Sequence, residues 1–494
     1  MRLTARILPS SNRSQFGAAV PKALDGSRCV GQAALPETLL TRNDPAFPPA
    51  TLMIPILHSP RCHTPRFTCV VAVLCLFFVS ARTASAENWP GWRGPRGDGT
   101  SAETELPREW DGASGRNIAW KAPLSGSGHS SPIVWRDRVF LTSCDEENED
   151  RILTCYDART GEQLWARTVL HAPLEHKHGL NSYASGTPAT DGELVYVTFL
   201  EPDFGSQTEV TPGNMVVAAY DFDGNERWKV KPGRFASTHG YCSSPVLFEE
   251  TLIVNGDHDG NGYIVALDRK SGETVWKVDR PNKTRSYVTP LIRTFDGRTQ
   301  MLLSGTKCVT SLDPRDGSTQ WIIDGPTEQF VASLVDNGRL VLLTAGYPER
   351  HVLAIRPEGR GNVTDTNIVW RTTRNCAYVP APIVLGDYLF LASDEGIATC
   401  FEAETGRVAW TARMGNHFSA SPIAANGLVY YFPDNGEVKV VRPGEKLDIV
   451  ATNALGQSCF ASPAVSGGRI YVRGERDLFC IGPKFDAPSK GTGP

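Results

Sequence analysis

Hydrophobic residues along this chain fall into short runs cut by Gly, Asp, Asn and Pro, a pattern that predicts strands joined by tight turns. One step recurs: a small residue, a proline, then an apolar residue that opens a run of strand formers. It stands at Ser131-Pro132-Ile133, Thr187-Pro188-Ala189, Ser244-Pro245-Val246, Thr289-Pro290-Leu291, Ala381-Pro382-Ile383, Ser421-Pro422-Ile423 and Ser462-Pro463-Ala464. Ser333-Leu334-Val335 fills the one gap without a proline. Successive steps are 56, 57, 45, 44, 48, 40 and 41 residues apart. A second pattern runs in phase with the first and reads as strand, Asp/Gly turn, strand ending in tryptophan. Tyr156-Asp157-Ala158-Arg159-Thr160-Gly161-Glu162-Gln163-Leu164-Trp165 is its clearest copy, and Trp228, Trp276, Trp321, Trp370 and Trp410 close the others.

Each unit therefore holds four short strands, in the first at about 131–135, 138–142, 152–157 and 164–169. A lone sheet of this size cannot bury its faces, so the units must pack on one another. The expected fold is all-β: an eight-bladed β-propeller of four-stranded antiparallel blades. The last unit stops without a tryptophan strand, while Asn117-Ile118-Ala119-Trp120 is a tryptophan strand with no unit of its own. Trp120 precedes Pro132 by 12 residues, as Trp370 precedes Pro382 and Trp410 precedes Pro422. The N-terminal strand is thus expected to complete the last blade and cover both edges. The unit around Leu334 and the seventh, which has no tryptophan, carry the weakest repeat signal.

These motifs resemble the pyrroloquinoline-quinone (PQQ) repeat propellers, whose repeat runs Asp, Thr/Ser-Gly, then Trp and is called the tryptophan-docking motif. Asp157/Thr160-Gly161/Trp165, Asp268/Ser271-Gly272/Trp276 and Glu402/Thr405-Gly406/Trp410 carry the likeness, which extends over about residues 117–483. It implies a structural role for Trp120, Trp165, Trp228, Trp276, Trp321, Trp370 and Trp410. The segment Trp89-Pro90-Gly91-Trp92-Arg93-Gly94-Pro95 is similar to the lead-in of secreted bacterial proteins with such propellers.

Ahead of the repeats, Arg61, His63 and Arg66 precede an apolar run from Phe67 to Val79, and Ala84-Ser85-Ala86 offers small residues for cleavage. This reads as a secretory signal over residues 53–86, with Met53 as the working start and 1–52 a spurious upstream or unstructured segment. The run is shorter than the ~20 residues a spanning helix needs. Residues 87–116 form a lead-in, 117–483 the propeller and 484–494 a disordered tail. Of twelve cysteines, eight follow the cleavage site. An oxidising compartment permits disulfides there, and Cys144 and Cys155 flank a hairpin in which they could sit opposite each other. With a formal net charge of −4, no nucleic-acid partner is expected.

Propeller connectivity puts the loops before each proline, and those between second and third strands, on one face. There the repeat places His129, His178, Tyr183, His239, Tyr241, Arg285, Tyr287, Arg374, Tyr378 and His417, a set expected to ring the channel mouth. The same residues could instead pack into a plug. The weak metal candidates Asp257, Asp259 and Asn261 follow an EF-hand spacing, but with strands on both sides and a hairpin turn at Asn261-Gly262.

Three functions compete, and fold alone does not choose among them. A quinoprotein dehydrogenase, as the resemblance implies, would need PQQ, calcium and an adjacent Cys-Cys pair, and this chain has no such pair. A hydrolase would need a motif such as G-x-S-x-G, also absent. The favoured reading is an exported, monomeric, non-catalytic scaffold in the periplasm or outside the cell, without cofactor, presenting its loop face to a protein, peptide or glycan. It resembles the propeller of the outer-membrane barrel assembly machinery, although no lipid-attachment cysteine follows the apolar run, Cys75 lying within it.

Overall fold

The repeats form eight separate antiparallel sheets arranged as a β-propeller. The computed structural model describes residues 86–485. These lie in one of the chain's two compact units, Ala81–Pro494. Segment 1–52, the expected signal peptide up to Ser85 and the expected tail from 486 fall outside the described residues. Blade 1 is built from Ile133–Trp135, Arg138–Asp145, Asp150–Asp157 and Gln163–His171, in that order from the axis outward. Blades 2 to 7 repeat the order; blade 4 gains a short parallel strand, Gly361–Asn362, at its outer edge. Blade 8 takes Ala464–Ser466, Arg469–Arg473 and Asp477–Ile481 from the C-terminal end and is completed by Ile118–Pro123. The weak fifth and seventh units are both full four-stranded blades. One four-residue helix, Thr364–Asn367, is the sole α-helix among the described residues, so no described helix is long enough to cross a membrane.

The two sequence patterns explain how the blades join. The backbone N–H of Ser131 donates to Thr187 Oγ1 (3.1 Å), that of Thr187 to Ser244 Oγ (3.0 Å), and those of Ala381 and Ser421 to Ser421 Oγ and Ser462 Oγ (both 2.9 Å). The hydroxyl before a proline thus ties its inner strand to the blade before it. At the outer strands the indole Nε1–H of Trp120 donates to Ala158 O (3.0 Å), Trp165 to Phe222 O (2.8 Å), Trp228 to Arg269 O (3.1 Å) and Trp276 to Pro314 O (3.2 Å). Trp321 and Trp370 repeat the bond to Pro357 O and Ala403 O, both at 3.0 Å. Each acceptor lies in the turn of the next blade. Asp157 Oδ1 holds that turn by accepting from the N–H groups of Arg159 and Thr160 (2.8 and 2.9 Å). Gly161 then lies flat under the Trp120 ring: a Cβ there would stand 2.6 Å from the indole, and its φ of +76° already favours glycine. Trp410 is the exception: its buried Nε1 has no partner, although blade 7 offers Arg442-Pro443 where blade 5 offers Arg356-Pro357 to Trp321.

The lead-in was expected only to precede the propeller; it closes it. Trp89 pairs with Val134 of blade 1, and Pro90 O accepts from the N–H of Thr190 in blade 2 (2.8 Å). The chain then crosses the axis. Trp92 Nε1 donates to Ser333 Oγ of blade 5 (3.1 Å), and the buried Arg93 reaches Pro382 O and Pro422 O of blades 6 and 7 (2.7 and 3.1 Å). All these contacts fall on the inner strands or at the steps that open them. Further along, Trp110 is buried in the cluster that joins blades 7 and 8 and stacks on Tyr430, supplying an indole where the seventh blade has none of its own.

The eight described cysteines are all free, and seven are buried. Cys144 and Cys155 do not face each other: in their hairpin Cys144 stands across from Arg151 and Cys155 across from Phe140. Burial pushes both thiols up to about 12, so they behave as small apolar core residues.

Candidate functional site

The channel is a blind cavity of about 410 Å³, open on the loop face. Trp92 of the lead-in forms part of its lining at the closed end. The hydroxyls of Ser244, Thr289, Ser333, Ser421 and Ser462, the residues that precede the inner strands, line its wall. Above them come His129, His178, His239, Tyr287, Tyr378, His417 and Phe460. Asp394 is the one Asp or Glu in the lining, which holds no Lys or Arg.

Phase against the proline decides which aromatics reach the cavity. Side chains alternate sides along an extended segment. Tyr287 and Phe460, three residues before Pro290 and Pro463, face the cavity, whereas Tyr241 and Phe418, four residues before theirs, turn into the core. Tyr241 is 4% exposed and packs edge-on to Phe235, 5.0 Å between centroids, so it lines no mouth. Tyr183, expected at the mouth, is also buried, its hydroxyl accepting from Gln207 Nε2 (3.1 Å). Tyr378 is four residues out yet reaches the cavity, because it lies across the bare backbone of Gly346, where a Cβ would stand 1.4 Å from its ring. Arg285 pairs with Asp259, and Arg374 is exposed outside the lining.

The imidazoles are held by hydrogen bonds. Tyr287 OH bridges His239 Nδ1 (2.8 Å) and Ser237 Oγ (2.7 Å), and His178 stands edge-on to His239 at 5.6 Å. His417 Nδ1 meets Asp434 Oδ2 at 2.7 Å, and the same carboxylate accepts from the N–H and hydroxyl of Ser419. His178 Nδ1 accepts from the Leu180 N–H (3.2 Å). Burial keeps the Tyr287 phenol well above its usual range. Burial, with the charges of Arg473 and Lys177 adding to it, pushes His129 down to about 4; His239 is lowered by burial and then by Arg285. The folded protein thus holds His129 neutral, whereas the unfolded chain protonates it near pH 6.5. Stability is therefore full above about pH 7 and falls as pH drops through 6.5 toward 4. His129 is partly exposed, so the expected loss is roughly 1–3 kcal/mol. Urea melts across this range should show a flatter profile for His129→Asn.

The metal candidates are already engaged. Asp257 forms a buried ion pair with Arg280, Nε to Oδ1 at 2.9 Å, Asp259 binds Arg285 and the Thr238 N–H, and the Asn261 carbonyl meets His258 Nε2. The segment is a hairpin of blade 3, pairing Gly256 with Tyr263, and guanidinium groups neutralise its acids. Among the described residues no three His, Cys, Asp or Glu side chains stand together as a metal site. A quinone cofactor bearing three carboxylates would need cations in the wall. The lining supplies none, since Arg285 and the nearby Arg350 are committed to Asp259, Asp394 and Glu395. The residues present do not fit PQQ.

A family model described as outer membrane protein assembly factor BamB matches residues 106–201, 148–412 and 362–481. The chain belongs to this PQQ-repeat propeller family. Its likeness to the outer membrane protein assembly factor BamB of Yersinia pestis is 22% identity over 339 residues, 60% of this chain and 81% of that protein. The crystal structure of BamB from Moraxella catarrhalis superposes with a TM-score of 0.51 at 15% identity, covering 75% of this chain and 98% of that one. A quinohemoprotein alcohol dehydrogenase from Comamonas testosteroni reaches 0.54 at 13% identity, covering 82% of each chain. A europium-containing methanol dehydrogenase reaches 0.52 at 11%, covering 79% of this chain and 90% of that one. At such identities the solved structures speak to fold alone. An assembly factor and two dehydrogenases thus share this fold, and fold alone does not choose a function.

Proposed function

We propose that this chain is an exported, non-catalytic binding propeller whose loop face receives a protein partner, with one partner side chain entering the imidazole-ringed cavity. The observation that carries this reading is the blind channel: the lead-in stops it at one end, and imidazoles, phenols and hydroxyls with hydrogen-bonding capacity surround the open one. Such a pocket, apolar with a few placed polar groups, suits an anchoring side chain. Relatives named as assembly factors support a protein partner over a small substrate.

Two measurements test it. A photo-crosslinking residue placed at His239 and another at Tyr378 are expected to capture one and the same protein. The same probe at Leu164 or Val275, on outer strands, is expected to capture none. A thermal melt with PQQ in calcium buffer is expected to show no shift. A ligand of the folded state at ~100 times its dissociation constant adds about 2.7 kcal/mol. A midpoint rise that needs both PQQ and calcium, and is lost in chelator, would replace this reading with a quinoprotein.

A further inference from the structure

Blades 1 and 2 rise above the rest of the loop face. Their third strands run 8 and 9 residues, against 5 or 6 in the other six blades. The tips of their hairpins, residues 145–150 and 203–212, flank the loop 172–183. Ala172 N–H donates to Glu149 O (3.2 Å) on one side, and Ser206 N–H to Leu174 O (3.2 Å) and His176 N–H to Thr211 Oγ1 (3.1 Å) on the other. The three segments form one ridge that ends at the cavity rim, where His178 and Leu180 belong to both.

Two properties of the ridge point to its partner. Most exposed large hydrophobic residues of the molecule sit singly on outer strands, but Leu180, Phe204 and Val210, 55%, 44% and 39% exposed, share the ridge. The ridge is also acidic: five of the six residues at 145–150 are Asp or Glu, Glu209 stands beside Val210, and Lys177 is the one Lys or Arg in the three segments. Lys177 lies over the Tyr183 ring at 4.8 Å; Asp203 pairs with Arg234 and Asp150 with His171, whereas Glu147, Glu149 and Glu209 carry no ion pair among the described residues. Apolar knobs among unpaired acids complement apolar and basic groups in one ligand.

We propose that this ridge docks a partner segment carrying both basic and apolar side chains, leading it toward the cavity. The proposal rests on the reading of the loop face as a protein-binding surface and names the chemistry of the partner. Fluorescence anisotropy with a short labelled peptide alternating Lys and Phe tests it on the intact protein. The peptide is expected to bind, and to weaken as salt is raised. The same peptide with Glu for Lys is expected not to bind. Leu180→Ser with Phe204→Ser and Val210→Ser should weaken binding about tenfold or more, as should Glu146→Gln, Glu147→Gln, Glu149→Gln and Glu209→Gln together. All seven side chains are exposed or half-exposed, so melting midpoints should stay put, and Val275→Ser on an outer strand should bind as wild type. Equal binding of the Lys and Glu peptides, or wild-type affinity in both ridge variants, overturns the proposal. If the peptide fails while cavity-wall crosslinks still form, the ridge proposal falls and the cavity reading stands. Peptide binding without any cavity crosslink gives the reverse.

Discussion

Replacing Glu175 by leucine is expected to destabilise the protein by about 3–5 kcal/mol, because it strands a buried guanidinium. Arg151 and Glu175 are 0% and 2% exposed at the side chain, with Nη2 and Oε2 2.6 Å apart. Arg151 also donates to Ala172 O (2.6 Å), Glu149 O (3.1 Å) and Pro173 O (3.0 Å), and its guanidinium lies 5.6 Å from the Tyr183 ring centre. One side chain thus pins the whole base of the loop that carries His178 and Leu180. Removing the charge on Arg151 as well should recover much of the loss, since a buried pair replaced by apolar groups of similar volume is often close to neutral. Chemical denaturation of Glu175→Leu, and of the double variant Arg151→Met/Glu175→Leu, measures both. If the single variant is as stable as the double, the pair is not what holds the loop. If stability returns in the double variant but crosslinking from His239 does not, the loop needs Arg151 for its shape as well as for its charge balance.

The propeller was legible in the sequence because each of its devices is local. The proline step, the Asp-Thr-Gly turn and the tryptophan strand all fall within one unit, and repetition shows them several times over. Ring closure could be read for the same reason, Trp120 keeping the 12-residue spacing to its proline. The cavity was legible only in part. The repeat brought aromatics and histidines to the loop face, but whether each points to the axis or the core turns on a single residue of phase, three positions before the proline for Tyr287 and four for Tyr241. Tyr378 breaks even that rule through Gly346 of the adjacent blade, a contact no local pattern encodes. The acids of 257–259 looked like cation ligands because their partners, Arg280 and Arg285, lie in the loop after the blade's fourth strand. The floor was not legible at all. Trp92 meets Ser333, 241 residues away, and Arg93 meets Pro382 and Pro422, 289 and 329 residues away, from a segment with no periodicity.

That floor carries the second large effect: Arg93→Met is expected to cost about 3–5 kcal/mol and to open the channel. The guanidinium is buried, and burial lowers its pKa to about 10, so it remains charged at neutral pH. Among the described residues it makes no side-chain ion pair. Its Nη1 donates to Pro422 O (3.1 Å), and its Nη2 to Pro382 O (2.7 Å) and Asp98 O (2.6 Å). Hydrogen bonds from a charged donor are worth about 1.5–3 kcal/mol each, and the carbonyls left behind would be buried without partners. Gly99 packs on the guanidinium so closely that a Cβ would stand 2.5 Å from Nη2, so the lead-in is folded around this group. Arg93→Lys keeps the charge but cannot reach three carbonyls in a plane, and about half the loss is expected to remain. Hydrogen exchange reads the consequence directly. The N–H groups of Trp89 and Ser101, bonded to Val134 O and Ala424 O at 2.8 Å each, should exchange faster in Arg93→Met while amides in the middle strands of blades 3 and 4 stay protected. A loss below about 1 kcal/mol with unchanged exchange would mean that the lead-in merely wraps the surface. The blind end of the cavity, and with it the case for an anchoring side chain, would then need another origin.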